Sequence, residues 1–78
     1  MIVDVHNLNV NEAIDLIRTE IKKAYKLKIL QIEVVHGFNN GSKIKKRFLE
    51  LKDPLINSMV NKPSNPGSTL INIKMKLF

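Results

Sequence analysis

The fold of this protein is decided by the stretch IVDVHNLNVNEAIDLIRTEIKKAYKLKILQIEVV, residues 2–35. Short runs of β-branched residues at its two ends predict strands near residues 2–6 and 30–36. Between them, apolar residues recur at intervals of three and four, which predicts an amphipathic helix near residues 10–27. A helix that connects two neighbouring strands in this way makes them parallel, through a right-handed crossover in nearly all cases. The stretch therefore predicts a β-α-β unit whose two strands end at the same side of a sheet.

The remaining residues predict a second helix and two further strands. Ile44, Phe48 and Leu51 follow helical spacing and predict a helix near residues 42–52. Alternating residues predict a strand near 56–61 and a longer one over 69–77. We therefore expect an α/β two-layer sandwich of order β-α-β-α-β-β, with a four-stranded mixed sheet and both helices on one face. The residues expected to be buried are Ile14, Ile17, Ile21, Ile44, Phe48, Ile71 and Ile73.

Length and composition exclude several classes of protein. A chain of 78 residues allows a single domain over residues 1–78. The absence of cysteine excludes disulfides, thiolate chemistry and cysteine-based zinc sites. No apolar stretch is long enough to span a membrane and no signal peptide opens the sequence, so we expect a cytoplasmic protein with no membrane partner.

The charge of the chain favours a polyanionic partner. Thirteen Lys and Arg against seven Asp and Glu give a formal net charge of +6. A small domain with this excess attracts nucleic acid or another polyanion. Lys43, Lys45, Lys46 and Arg47 fall in the first turns of the second predicted helix, where the helix dipole disfavours positive charge. Such a conflict with a local preference is typical of a functional surface, and a solvated helix surface is the alternative.

The candidate catalytic residues follow the first two predicted strands. Asp4 and His6 are two residues apart, so their side chains leave the same face of the first strand. The second strand is followed by His36 and Gly37, which begin a turn-rich loop that closes at Gly41. Because parallel strands end at the same side of a sheet, we expect the two histidines to lie close together. The N-terminus of the second helix should lie beside them.

Three motifs in the chain resemble those of the Smr (small MutS-related) domain family. Residues 3–6, VDVH, resemble the family's L-D-x-H-G motif, and residues 36–41, HGFNNG, resemble its H-G-x-G-x-G loop. Residues 67–73, GSTLINI, resemble its closing G-x-T-φ-φ-x-φ strand, where φ is an apolar residue. Asn7 and Asn39 stand where the family's motifs have glycine. The resemblance covers almost the whole chain, with the motifs in the family's order and spacing.

The resemblance implies a single Smr-like domain, with a fold like the C-terminal domain of a bacterial translation initiation factor. It also implies binding of nucleic acid, either RNA or DNA, and nicking or RNA endonuclease activity. Some members of the family act on ribosomes, which makes the ribosome a candidate partner. The family's proposed functional positions correspond here to Asp4, His6, His36, Gly37 and Gly41.

Two interpretations of the function are open. In the first, the domain binds nucleic acid and cleaves it, with Asp4, His6 and His36 as the catalytic group. A histidine can act as base or acid near neutral pH, while Asp4 orients His6 or holds a divalent cation. In the second, the domain is a non-catalytic module that docks on a ribosome or a protein partner through its basic surface. The residues predicted to bind nucleic acid are Gly37, Phe38, Asn39, Gly41, Lys43, Lys46 and Arg47.

Overall fold

The helices and strands follow one another in the predicted order. The computed structural model describes residues 1–37 and 41–74 of the chain. The elements are β1 (Ile2–Asp4), α1 (Val10–Lys26), β2 (Gln31–Val35), α2 (Gly41–Leu49), β3 (Ile56–Asn61) and β4 (Ser68–Ile73). The predicted β-α-β-α-β-β order is therefore confirmed. The last part of the strand expected over 69–77 lies outside the described residues from position 75 onward.

The strands form one mixed sheet in the order β1-β2-β4-β3. β1 and β2 are parallel, with Val3 opposite Val34 and Asp4 opposite Val35, as the crossover predicts. β4 lies antiparallel to both β2 and β3. The two parallel strands therefore end at the same side of the sheet. We call this side, formed by residues 5–7 and 36–37, the carboxyl end.

One hydrophobic core joins the two helices to one face of the sheet. The buried apolar residues are Val3, Val5, Ala13, Ile14, Ile17, Ile21, Ala24, Ile32, Val34, Ile44, Phe48, Ile71 and Ile73. This set contains all of the residues that the sequence predicts to be buried. Side chains alternate along a strand, so Asp4, Glu33 and Asn72 lie on the face away from the helices. The predicted two-layer sandwich is confirmed.

Capping interactions fix both ends of α1. The Asn9 side chain accepts a hydrogen bond from the Glu12 backbone N–H at 2.9 Å, and the Glu12 carboxylate accepts one from the Asn9 backbone N–H at 3.3 Å. These two reciprocal bonds form a capping box. At the other end Lys28 has a φ of 59°, and the Ile29 N–H donates to the Ala24 carbonyl at 2.9 Å, as in a Schellman motif. The bonds between Asn9 and Glu12 therefore fix where α1 begins and how it connects to β1.

The second helix ends at Leu49, earlier than the predicted residue 52. The Glu50 N–H donates to the Arg47 carbonyl at 3.2 Å, and the Leu51 N–H donates to the Phe48 carbonyl at 3.0 Å. These bonds reach back three residues rather than four, so the last turn tightens and the helix stops. Leu51 is half-buried and still packs against the core.

Polar side chains cover the sheet face that lies away from the helices. The Gln31 amide donates to the Asn72 side-chain oxygen at 2.9 Å, and the Asn72 amide donates to the Ser58 hydroxyl at 2.9 Å. Lys62 forms an ion pair with Glu33 at 2.7 Å, which lowers the pKa of the Glu33 carboxyl. These contacts link three strands and support their register. None of the helices within the described ranges is long and apolar enough to cross a membrane.

Candidate functional site

Asp4 and His6 form a hydrogen-bonded pair at the carboxyl end of the sheet. The His6 Nδ1 and the His6 backbone N–H both donate to one oxygen of Asp4, the backbone bond at 3.1 Å. The side chains of His6 and Asp4 are 47 % and 53 % exposed. The bonds from His6 lower the pKa of Asp4, which is therefore ionised at neutral pH. Because a carboxylate only accepts hydrogen bonds, the neutral imidazole carries its proton on Nδ1 and presents the lone pair of Nε2.

The backbone after β1 determines where His6 points. The Val5 N–H donates to the Val35 carbonyl at 2.9 Å, which extends the pairing with β2 by one residue. The Leu8 N–H then donates to the Val5 carbonyl at 3.1 Å and closes a turn. Val5 is buried and His6 is exposed, so the alternation of β1 continues into this turn. His6 consequently lies on the same side as Asp4, away from the helices.

Asparagine replaces two of the glycines in the motifs that the sequence resembles. Among the described residues other than glycine, only Lys28 has a positive φ. The turn therefore places Asn7 in an ordinary backbone conformation, and no glycine is needed there. The second replacement, Asn39, lies outside the described residues, as does Phe38.

Gly37 lies directly against His6. Its φ is 90°, a conformation that residues with a side chain rarely adopt. A Cβ atom at this position would lie 3.2 Å from the Cβ of His6, closer than most side chains tolerate. Both the backbone conformation and the neighbouring side chain therefore favour glycine at this position. The first and second motifs meet at this contact.

His36 lies at the same end of the sheet as His6, but inside the protein, where it is 2 % exposed. Its Nδ1 is 3.0 Å from the Gly37 carbonyl oxygen, and its Nε2 is 3.0 Å from the Thr69 hydroxyl. The carbonyl oxygen accepts the Nδ1 proton, so Nε2 accepts the hydroxyl proton of Thr69. The Phe48 ring lies 5.8 Å away between centroids. Burial lowers the pKa of His36, which keeps the ring neutral at pH 7 with both nitrogens hydrogen-bonded to the protein.

The third motif, residues 67–73, forms hydrogen bonds to the start of the second motif at residues 36–37. The Gly67 carbonyl accepts hydrogen bonds from the backbone N–H groups of His36, at 2.9 Å, and Gly37, at 3.1 Å. Thr69 is fully buried, with its hydroxyl bonded to His36. The three motifs therefore form one chain of contacts, in which Gly67 and Thr69 hold the segment that packs against His6.

The alternation of the strands gives a signal for the burial of His36. Ile32 and Val34 face the core from β2, and His36 continues the same two-residue period. Thr69 continues in the same way the period of Ile71 in β4. A polar residue in register with core positions is expected to be buried and hydrogen-bonded.

The basic residues of α2 differ in their surroundings. Gly41 begins the helix, which follows the loop after β2 and so starts near the carboxyl end. Lys43 and Lys46 are exposed on this helix. Lys45 is half-buried, and its charge contributes to the lowered pKa of the buried histidine. Arg47 instead lines a groove between the two helices.

The site offers few ligands for a metal ion. In residues 1–37 and 41–74, no three His, Asp or Glu side chains come close enough to hold one together. Asp4 and His6 supply one carboxylate and one imidazole. A divalent cation at this position would therefore take its remaining ligands from water or from substrate phosphates.

Fold and site together define a class of protein. This is an α/β domain of β-α-β-α-β-β order that carries a histidine–carboxylate pair and a buried histidine where its parallel strands end. The sequence model of one family, the Smr domain, matches residues 3–72 of the chain. The protein belongs to the Smr domain family, as its three motifs predict.

A solved structure has the same fold. The crystal structure of the Smr domain of Thermus thermophilus MutS2 matches with a TM-score of 0.82 and 22% sequence identity. The match covers 94% of this chain and 96% of that chain. At this identity the similarity shows the fold alone. No curated protein matches the sequence.

Proposed function

We propose that this domain binds nucleic acid at the carboxyl end of its sheet and cleaves phosphodiester bonds, as an endonuclease that favours RNA. The observation that carries the proposal is the exposed Asp4–His6 pair, in which an ionised carboxylate orients an imidazole. Such an imidazole presents the lone pair of Nε2 to a substrate as a general base. The net charge of +6 favours a polyanionic substrate.

In RNA, the 2′-hydroxyl next to the scissile phosphate is the nucleophile. Nε2 of His6 removes the proton of this hydroxyl as the oxygen attacks phosphorus, and the Asp4 carboxylate stabilises the imidazolium that forms. The bond to the 5′-oxygen then breaks, and His6 returns the proton to that oxygen. Lys43 and Lys46 stabilise the negative charge on the phosphate during the reaction.

In this proposal His36 is a positioning residue. Both of its ring nitrogens are hydrogen-bonded inside the protein, so it offers none to a substrate. Its Nδ1 bonds to the Gly37 carbonyl, and Gly37 packs against His6. A single imidazole, that of His6, then serves both proton transfers in turn.

The test compares variants of the exposed pair with a variant of the adjacent turn residue. His6→Ala and Asp4→Ala should each lower the rate of cleavage of a fluorescent RNA, with a loss of about 10²- to 10⁴-fold for the base. Both side chains are exposed, so melting curves should stay close to those of the native protein. Asn7→Ala, a matched change in the same exposed turn, should retain activity. Cleavage by His6→Ala at the native rate would refute the catalytic proposal.

The second candidate function is a non-catalytic module that docks on a ribosome or a protein partner. The burial of His36 favours it, because only one of the two histidines is left for acid–base chemistry. Binding to nucleic acid should weaken steeply as salt is added, since counterions are released, whereas a packed protein interface should respond little. If no cleavage depends on His6, a steep salt dependence would indicate a module that binds nucleic acid, and a weak one a module that docks on a protein partner.

A further inference from the structure

A second positively charged surface lies in a groove between the two helices. Its cations are contributed by three parts of the chain: Arg18 and Lys22 by α1, Arg47 by α2, and Lys52 by the segment that follows. The two depressions that make up the groove share Arg18 and Lys52, so they are continuous. We call these residues the helix-groove cations.

The groove keeps an excess of positive charge. Its cations are exposed, and no ion pair within the described part of the chain includes any of them. The carboxylates Glu50 and Asp53 also line the groove. One oxygen of Asp53 accepts a hydrogen bond from the Leu55 N–H at 2.9 Å. Four cations against two carboxylates leave an excess of two positive charges.

The groove is separate from the Asp4–His6 pair. Val10 begins α1 near the carboxyl end, and the helix then runs towards the opposite end of the sheet. With a rise of about 1.5 Å per residue, Arg18 and Lys22 lie about 12 and 18 Å along the axis from Val10. A ligand confined to the catalytic pair would therefore not reach them.

We propose that this groove is a second contact site for nucleic acid, which binds the phosphodiester backbone of the strand whose scissile phosphate lies at the Asp4–His6 pair. The inference rests on the proposed function and adds to it where the rest of the substrate lies. Arginine binds phosphate oxygens through two parallel N–H donors and lysine through a point charge, and the groove supplies both. None of the described residues that line it is aromatic, so it has no surface on which bases would stack. Contacts to phosphates position a strand without reading its sequence.

The test removes two charges from the groove and, as a control, two from elsewhere. The groove variant is Arg18→Gln with Lys52→Gln, and the control is Lys28→Gln with Lys74→Gln, all at exposed positions. Binding of a short fluorescein-labelled RNA is followed by anisotropy from about 50 to 200 mM salt. Circular dichroism melting shows that each variant is folded.

The groove variant should show a shallower salt dependence, by ~1.4 in the slope of log K against log salt for two phosphate contacts at about 0.7 each. Its affinity at the lowest salt should fall roughly tenfold or more, and that of the control much less. Equal slopes and affinities for the two variants would overturn the proposal.

A third variant separates failure of this inference from failure of the proposed function. If Lys43→Gln with Lys46→Gln weakens binding while the groove variant behaves like the control, the groove proposal is wrong and the proposed site stands. If the native protein binds no RNA at any salt concentration, both proposals are wrong. If both variants weaken binding, the strand contacts both surfaces.

Discussion

Two histidines follow neighbouring parallel strands, and their surroundings are opposite. His6 is about half exposed and bonded to a carboxylate, whereas His36 is 2 % exposed and bonded to a hydroxyl and a backbone carbonyl. Asp4 lies opposite Val35, so the register continued along the strands sets Val5 opposite His36 and His6 opposite Gly37. The two histidines are thus offset by one residue along the paired strands. Because side chains alternate between the faces, one imidazole lies in solvent and the other in the core.

The difference shows how a domain this small holds an exposed side chain in place. A short exposed turn has little packing of its own, so its position depends on the layer behind it. Here that layer is the buried cluster of His36, Thr69 and Phe48, which contacts the turn through Gly37. The outer pair is accessible from solvent, and the hydrogen bonds of the inner cluster fix the segment behind it.

Replacing each histidine with alanine should give the largest difference in stability between the outer region, the Asp4–His6 pair, and the inner region, the cluster around His36. His36→Ala removes a buried ring and its hydrogen bonds, and should lower the free energy of unfolding by about 2–4 kcal/mol. His6→Ala removes an exposed ring, and should change it by no more than about 0.5 kcal/mol. Urea denaturation measures both values. Equal losses in the two variants would show that the distinction is wrong.

The hydrogen bond between Thr69 and His36 should account for part of the inner cluster's stability. Thr69→Val keeps the shape of the side chain but leaves Nε2 of the buried histidine without a partner, at a cost of about 1–3 kcal/mol. In the His36→Ala background the same change should cost much less, because the partner is already gone. A double-mutant cycle measures this difference. Additive losses would mean that the bond contributes nothing.

The contact between the two regions should respond to any side chain at residue 37. Gly37→Ala places a Cβ at a φ of 90° and against His6, and should destabilise the domain by about 1–2 kcal/mol. Gly37→Asn should cost less, since asparagine tolerates positive φ better than alanine does. If cleavage is present, both variants should lower it because His6 is displaced. If Gly37→Ala left the free energy of unfolding unchanged, the contact at residue 37 would not link the outer and inner regions.

The smallest expected effect is the dependence of stability on pH that His36 causes. Burial lowers the pKa of His36 in the folded state, so the unfolded chain binds the proton more readily. Stability should therefore fall as pH decreases from about 7.5 to 5.5. The lowered pKa values of Asp4 and Glu33 change the stability only below about pH 5, where the carboxyl groups of the unfolded chain take up protons. Melting temperatures of His36→Gln should vary less over this range than those of the native protein, and an equal variation in both would show that His36 does not cause the dependence.

Most of the fold was predictable because burial follows directly from spacing. Ile14, Ile17 and Ile21 recur at helical intervals, Ile71 and Ile73 at strand intervals, and each set has one buried face. The family motifs likewise identify Asp4 and His6 from short stretches of sequence. The end of α2 was placed too late, since apolar spacing continues to Leu51 although the helical hydrogen bonds stop earlier.

The rest of the site depends on contacts between distant parts of the chain. The environment of His36 requires Thr69, which joins it only when β4 pairs with β2. The helix groove is similar, since Arg18 and Lys52 meet only when the two helices pack. In the sequence these cations resemble any other exposed positive charge, so no local pattern distinguishes them.

The position of β1 has a consequence for how the site fails on heating. This strand is three residues long, lies at one margin of the sheet and pairs with β2 alone. Short segments of this kind detach at a lower free energy than the whole domain unfolds. Detachment would carry Asp4 and His6 away from Gly37 while the other strands stay paired. We therefore expect any activity that depends on Asp4 and His6 to be lost at a temperature where the circular dichroism is still that of the folded domain.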